Sequence, residues 1–270
     1  MPATVILGSA RTPIGKLGGA LAPLDAPSLG GVAMAGALER AGVAPDQVDH
    51  IVMGTVLQAG QGMIPSRQAQ AKAGIPITIS SETINKVCAS GMRAVSLLDI
   101  AIRAGDVEVG LGGGMESMSN APHLLSGVRF GVRLGDTTAH DAMLHDALES
   151  PWSGKHMAAE ATEVAAELEI TRAEMDRWAV RSHALAIAAM DDGRFAEEIV
   201  AVSVPSRREE IVVEQDEAPR RDTTLEGLAK LPPIFVKDGS HTAGNSPGVN
   251  DGAGAMVVAS DEWALSLIHI

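Results

Sequence analysis

The sequence predicts an α/β fold built on a parallel sheet and interrupted by a long, loop-rich excursion that carries its own helices. Three observations predict it. Short β-branched runs alternate with helical apolar spacing between residues 4 and 111. From residue 116 the alternation gives way to irregular sequence rich in Gly, Ser, His and Asp. A Val-rich run at 254–260 then returns to strand chemistry.

Taken in order, residues 4–8 and 50–57 read as buried strands. Between them Ser28 is placed to cap a helix carrying Val32, Met34, Ala37 and Leu38 and ending at Gly42. Ser66 precedes a short helix stopped by Gly74 and Pro76, and 77–84 is a further β-prone run leading to Cys88. Met92, Val95, Leu98 and Ile102 keep helical spacing until Gly105, and a strand at 107–111 runs into Gly112-Gly-Gly. Residues 116–155 are irregular; helices follow at 157–169 and 172–191, the second opened by a Thr171/Glu174 capping box. The stretch 194–204 reads as extended and 205–251 as a Pro-, Gly- and charge-rich loop. Excursions of this length inside a compact domain are usually functional.

Composition narrows the function. The 270 residues can bury roughly three quarters of their unfolded surface, enough for one large domain or two. With 46% hydrophobic residues the chain is neither disordered nor fibrous. A net charge of −13 argues against a phosphate-backbone binder, and 2% aromatic content against base-stacking platforms. A single cysteine excludes an intramolecular disulfide and any multi-cysteine metal site, and fits a reducing compartment such as the cytoplasm. No run of 18 apolar residues is present to span a membrane, and the N-terminus has no targeting pattern.

Four groups of residues could carry chemistry. Cys88, in Asn85-Lys-Val-Cys-Ala-Ser-Gly-Met-Arg, sits where a strand hands over to a helix. The helix end, with Lys86 and Arg93 close in sequence, favours a nucleophilic thiolate, and small neighbours leave room for a substrate. A buried structural thiol fits the same position. Gly112-Gly-Gly-Met-Glu-Ser-Met-Ser is not a dinucleotide motif, because Met115 stands where the pattern from Gly110 needs glycine, and no Gly-Lys-Ser/Thr makes it a P-loop. It is either a strand end that lets the backbone pack closely or a plain turn. The loop Thr242-Ala-Gly-Asn-Ser-Pro-Gly-Val-Asn-Asp either offers backbone N–H groups to a ligand or is a tight connection. Arg220, Arg221 and Lys230 either meet phosphates or decorate surface loops. The eight histidines form no metal-binding pair, and Glu160, Glu163 and Glu167 read as a solvated helix face.

Together these stretches, with Ser9-Ala-Arg-Thr-Pro-Ile-Gly, His156-Met157 and Asp192-Gly-Arg-Phe-Ala-Glu-Glu-Ile, resemble the thiolase family in order from Thr4 to about Trp263. The resemblance implies a thiolase-like fold, the N-terminal half of a layered αβαβα architecture with an inserted loop domain. Residues 1–115 and 251–264 would form the α/β domain, and 116–250 the loop domain that holds coenzyme A. It further implies that Cys88 attacks an acyl-CoA thioester and becomes acylated, in the condensation of two acetyl-CoA to acetoacetyl-CoA or its reversal. Arg220 would face the nucleotide; His156, Met157, Ala243, Gly244 and Ser246 would line the pantetheine and acyl channel; Leu148 would add apolar cover. Ala158 replaces a frequent glycine, Pro247 a serine (with Ser246 displaced by one), and Gly227 stands where a relative has Ser; these departures bear on single contacts. No cofactor is implied beyond the CoA thioesters, which are substrates, and no nucleic-acid or membrane partner. The resemblance also implies a homodimer or homotetramer for the full-length protein.

The family's second half supplies an Asn-Glu-Ala segment, a Gly-His-Pro histidine and a second cysteine, none of which occurs in these 270 residues. The chain as written is therefore expected to lack the C-terminal thiolase domain and to turn over poorly. Residues 265–270 do not continue the family pattern and match a sequencing-adapter translation, so they are expected to be a non-native tail. A ketoacyl-synthase-type condensing enzyme and a non-catalytic acyl-CoA- or lipid-binding protein are the alternatives on the same fold.

Overall fold

The computed structural model describes residues 2–206 and 209–268. Residues 269–270, the end of the tail expected to be non-native, lie outside the described residues. The chain opens with β1 (Thr4–Arg11), β2 (Gly15–Lys16), α1 (Ala26–Ala41), β3 (His50–Gly54) and α2 (Pro65–Lys72). Next come β4 (Ser80–Ile84), α3 (Ser90–Ala104) and β5 (Val109–Ser117). The middle adds β6 (His123–Leu125), β7 (Ala139–Asp141), α4 (Met157–Glu167), α5 (Arg172–Asp191), β8 (Val202–Val204), β9 (Ile211–Val213) and α6 (Leu225–Ala229). The chain closes on β10 (Asn250–Ser260) and α7 (Asp261–Ile268). These elements form two units: Met1–Ala121, Glu198–Glu217 and Asn250–Ile270 make the first, Pro122–Glu197 and Ala218–Val249 the second.

The first unit is organised by a sheet of order β1-β10-β5-β3-β4, with β2 also pairing to β10. The sheet is mixed, which corrects the parallel sheet expected from the alternation. β3 runs parallel to β4 and β5, as helical crossovers require, but β10 returns from the excursion without such a crossover and lies antiparallel to both β1 and β5. Side chains alternate across the sheet with period two. Ile51 and Met53 join Leu29, Ala33, Met34, Ala37 and Leu38 of α1 on one face, while Val52 and Val258 join Ala94, Leu98 and Ile102 of α3 on the other. Leu98 and Ile102 are fully buried, each worth about 1.5–3 kcal/mol of hydrophobic stabilisation.

Local chemistry sets the helix ends. Asp25, not Ser28, caps α1: its carboxylate accepts the Ser28 N–H at 2.8 Å, and Pro27 fits the first turn, where no N–H is needed. α1 and α3 end at Gly42 and Gly105, both left-handed. The triple glycine is not a turn but a stretch of strand where backbone packs closely: a Cβ on Gly114 would stand 3.2 Å from Gly91 Cα. Gly112, Gly113 and Gly114 lie inside β5, paired with β3 on one side and β10 on the other.

The excursion expected to run unbroken over 116–250 is divided, because residues 198–217 belong to the first unit. Two arginines hold them there. Arg11 is bidentate to Asp216 (2.7 and 2.9 Å) and reaches Glu198 at 3.0 Å, while Asp216 also accepts the Ile14 N–H. Burial alone would pull the Arg11 guanidinium down, but its bonds to Asp216 and Glu198 carry it above its ordinary value. Arg40 donates to the carbonyls of Ser9, Glu198 and Ile199. Val202, Val204 and Val213 of the β8–β9 ribbon then enter the core beside α1.

The second unit contains α4, α5, α6 and the β6–β7 ribbon. The Thr171/Glu174 capping box forms in both directions and opens α5 at the expected residue. The stretch expected to be a plain loop after residue 205 contains β9 and α6, the latter capped by Thr224. Among the described residues no helix is long and apolar enough to cross a membrane.

Gly54 tests the seating of α3. A Cβ there would stand 2.6 Å from the Ser90 carbonyl carbon and 2.9 Å from the Gly91 nitrogen, both backbone atoms. Gly54→Ala is expected to destabilise the protein by about 1–3 kcal/mol, read as a lower urea midpoint at unchanged m-value.

Candidate active site

β3, β4 and β5 run parallel, so their C-terminal ends share one edge of the sheet, where α/β folds commonly place ligands. Cys88 lies there, in the turn between β4 and α3. The turn is tight. Ser90 Oγ accepts the Lys86 N–H at 2.8 Å and donates to the Val87 carbonyl at 2.6 Å, and Val87 has φ of 51°. A β-branched residue in that region is strained and persists only when its surroundings hold it.

Cys88 is a free thiol and exposed, which overturns the alternative of a buried structural cysteine. It stands two residues ahead of the first residue of α3, at the positive end of a 15-residue helix. Of the two neighbouring cations, Arg93 turns along α3 to donate to Ser96 Oγ at 3.2 Å. Behind the turn the sheet carries no Cβ at Gly54 and Gly114, and this lets the first turn of α3 rest on backbone.

Glu116, one residue before the end of β5, belongs to the glycine-rich motif but had no role assigned from sequence. Its carboxylate is largely buried and accepts three donors: Thr55 Oγ1–H at 2.9 Å, Val56 N–H at 2.7 Å and Leu57 N–H at 3.2 Å. Burial raises its pKa above the ordinary value, against the lowering effect of those hydrogen bonds. Convergence of three donors on two oxygens is the hydrogen-bonding pattern of an acceptor-only carboxylate. Beside α3, Met92, Val95, Gly112, Gly113, Gly254 and Met256 help line an open, mainly apolar groove of about 730 Å³. Cys88 is not among its lining residues.

The remaining candidates belong to the second unit. His156 caps α4: its Nδ1 accepts the Ala158 N–H at 3.1 Å, and Met157, exposed, is the first helical residue. Leu148 ends a π-helical turn, and the bridge between Glu149 and His156 brings that turn beside the cap. Phe235, absent from the sequence-based candidates, stacks on the His156 ring at 4.0 Å between centroids and 11° between planes. It does so from a left-handed backbone, φ 65°, which no sequence pattern signalled.

Ala243, Gly244 and Ser246 follow in a loop pinned by Thr242 and Asn245. The Thr242 N–H donates to Asn245 Oδ1 at 2.7 Å, and the Asn245 amide donates to Asp176 of α5 at 2.9 Å. His241 meets Thr162 of α4 at 2.9 Å, so this loop and the His156 cap are attached to the same helix. The Ser246 hydroxyl oxygen is buried with no hydrogen-bond partner. Arg220 is exposed, with its backbone N–H on His183, whereas Arg221 is bidentate to Asp191 at 2.8 and 2.6 Å. Leu148, His156 and Met157 thus stand at the start of α4, whereas Gly244 faces Leu228 and Leu231 beside α6 and its neighbour Asn245 is bonded to α5; all of these residues belong to the second unit, and Cys88 to the first. Among the described residues no three His, Cys, Asp or Glu side chains group to hold a metal ion.

A family model described as the thiolase N-terminal domain matches residues 4–262. The acetyl-CoA acetyltransferase of Cupriavidus necator is 48% identical over 268 residues, covering 99% of this chain and 68% of that protein. The acetyl-CoA acetyltransferase of Chromobacterium violaceum is 44% identical over 260 residues, covering 96% of this chain and 66% of its own. Among solved structures, the Bacillus anthracis acetyl-CoA acetyltransferase superposes with a TM-score of 0.95 at 39% identity, over 98% of this chain and 67% of that one. The chain therefore spans about two thirds of the length of these relatives.

Two outcomes are expected. A carboxyl whose pKa is raised by folding binds its proton more tightly in the folded state. Its stabilising contribution is therefore present below the unfolded value and is lost as pH rises through the folded one. The unfolding free energy of the wild type relative to Glu116→Gln should fall as pH is raised from the ordinary value of 4.5, then level off; urea midpoints across that range check it. Separately, His156→Ala should lower stability by about 1 kcal/mol through loss of the cap, while His156→Asn retains most of it in the same denaturation assay.

Proposed function

The chain belongs to the thiolase family, and on that premise we propose that it is an acyltransferase of the acetyl-CoA-condensing type. In this reading the Cys88 thiolate attacks the carbonyl carbon of acetyl-CoA, the new C–S bond forms as the old one breaks, and coenzyme A leaves as a thiolate. Its uptake of a proton is balanced by the α-proton that a second acetyl-CoA gives up in forming its enolate. That enolate then attacks the acetyl group on Cys88, releasing acetoacetyl-CoA and returning the thiolate. The reverse sequence is thiolysis. A thioester carbonyl paired with a polarised thiolate makes both half-reactions exchanges of one sulfur ester for another or for a carbon bond, which suits cysteine over serine.

The observation that carries this reading is the exposed, lone Cys88 thiol at the positive end of α3, in a turn held on both sides by hydrogen bonds. The second unit is read as the part that holds coenzyme A. Arg220 supplies charge for the nucleotide end, where the overall negative balance of the protein would otherwise repel it. His156, Met157, Leu148, Ala243 and Gly244 form the wall of the pantetheine and acyl path, and Phe235 backs His156. The buried, unpartnered Ser246 hydroxyl supports a polar contact to a ligand at that loop. The proposed protein works without a cofactor beyond its thioester substrates, in a reducing cytoplasm that keeps Cys88 free, and as a homo-oligomer.

The test uses the 270-residue chain, in which any cysteine adduct must map to one position. Incubation with acetyl-CoA followed by acid quench and peptide mass mapping should find one acetyl group on Cys88, removed again by added coenzyme A. Cys88→Ala should carry no acetyl adduct. A Cys88 that iodoacetamide alkylates but acetyl-CoA never acylates overturns the reading.

A further inference from the structure

The turn that carries Cys88 is joined by hydrogen bonds to the buried carboxylate of Glu116 at the end of another strand. Glu116 Oε1 takes the Thr55 hydroxyl and the Leu57 N–H, and Oε2 takes the Val56 N–H, so one side chain fixes three successive residues after β3. The first of those residues is also fixed from β4, through the Thr55 N–H on the Ile84 carbonyl at 3.1 Å. Asn85 follows Ile84. Its amide Nδ2 donates to the Val56 carbonyl at 3.4 Å, and its Oδ1 accepts the Val87 N–H at 2.9 Å. The Asn85 side chain therefore spans from the segment Glu116 holds to the residue immediately before Cys88.

We propose that Glu116 is a positioning residue for the Cys88 nucleophile, acting through the Thr55–Leu57 backbone and the Asn85 side chain.

The physical need for such a device lies in Val87. Its φ of 51° is unfavourable for a β-branched side chain, so the turn relaxes unless it is clamped. Ser90 clamps it from the helix side and Asn85 from the sheet side. The Ser90 clamp is local, but the Asn85 clamp is only as firm as the Val56 carbonyl it rests on. That carbonyl belongs to the peptide segment whose N–H groups Glu116 accepts. Replacing the carboxylate by an amide puts an NH₂ donor against a backbone N–H or a hydroxyl, which forces one of the three bonds apart and moves the support under Asn85. The thiolate depends on direction as well as distance from the positive end of α3, so a shifted turn presents a less stabilised sulfur.

The proposal rests on Cys88 being the nucleophile, and its test reads the thiol without acyl-CoA, so the two readings fail separately. The second-order rate of iodoacetamide alkylation is measured against pH for the wild type, Glu116→Gln, Asn85→Ala, the double variant and Glu82→Gln, with thermal melts of each. Cys88 is already exposed, so loosening its turn cannot speed the reaction by uncovering it. Glu116→Gln and Asn85→Ala should each slow alkylation at neutral pH by about tenfold and move its pH midpoint upward. The double variant should be no slower than the slower single one, because both act in one chain of contacts. Glu82→Gln, an exposed carboxylate on β4, should match the wild type. A cooperatively melting Glu116→Gln or Asn85→Ala protein that alkylates within about twofold of the wild type at the same pH midpoint overturns the proposal, as does a double variant whose losses multiply. Should Glu116→Gln fail to fold, Glu116→Asp, whose shorter carboxylate cannot reach all three donors, takes its place: slowed alkylation with an upward pH midpoint upholds the proposal and a wild-type rate overturns it.

Discussion

The close approach of α3 to the sheet is the constraint on which the rest of the first unit depends. Its first turn rests on Gly54 and Gly114, where a Cβ would meet the backbone or side chain of Ser90 and Gly91. Sheet and helix normally keep the separation that side chains impose; removing those side chains at one end lets the helix start in contact with strand backbone. The turn from β4 must then close within a few residues, and this draws in the left-handed Val87, the Ser90 hydroxyl and the Asn85 amide. An exposed thiol at the end of an aligned helix results from that geometry. The same packing places Leu98 and Ile102 in the core, so the position of Cys88 and the stability of the sheet share one cause.

Backbone pairing of β10 with β1 and β5 makes the main long-range join, and charged side chains fix a second one. Arg11, on β1, holds a segment 205 residues later by a bidentate pair with Asp216, whose side chain is nearly buried. A pair of this kind contributes little net stability compared with apolar packing, but leaving either partner alone is costly, which makes it a strong determinant of where the segment lies. Arg40 adds three donors to backbone carbonyls of β1 and the same segment. In the second unit the Arg221–Asp191 pair balances one of two adjacent arginines, and Arg172 closes α5 onto the carbonyls of Leu228 and Leu231. For a chain of net charge −13, such local arrangements, rather than the overall field, decide where an anionic ligand is tolerated.

Much of the fold was legible in residue order, and the exceptions share a reason. Helix α5 and its capping box, the ends of α1 and α3 at Gly42 and Gly105, and the strand-to-helix turn at Cys88 all follow from interactions within a few residues. The sheet's mixed direction did not: β10 reads locally like any other Val-rich strand, and its antiparallel course is set by where the excursion releases it. The glycine triplet could be a turn or a packing site until β3 and β10 were seen to flank it. Ser28 was the natural cap on composition, yet Asp25 three residues earlier has the stronger acceptor and a proline suited to the first turn. Asn85, Lys86, Arg93 and Cys88 lie close in sequence, but only the structure shows Asn85 reaching Val56 and Arg93 turning to Ser96.

By itself the sequence determined the alternation of strands and helices, the lone thiol at the start of α3, the cap chemistry, and the order of motifs that places the chain in its family. These are properties of short range, written in periodicity, spacing and side-chain type. Tertiary structure alone decided that Cys88 is exposed, that Glu116 accepts three donors from the loop after β3, that Phe235 covers His156, and that residues 198–217 rejoin the first unit. Each of these joins residues far apart in the chain through a buried charge, a stacked ring or a backbone contact. Such contacts leave no local signature, because their free energy depends on what the rest of the fold removes from water.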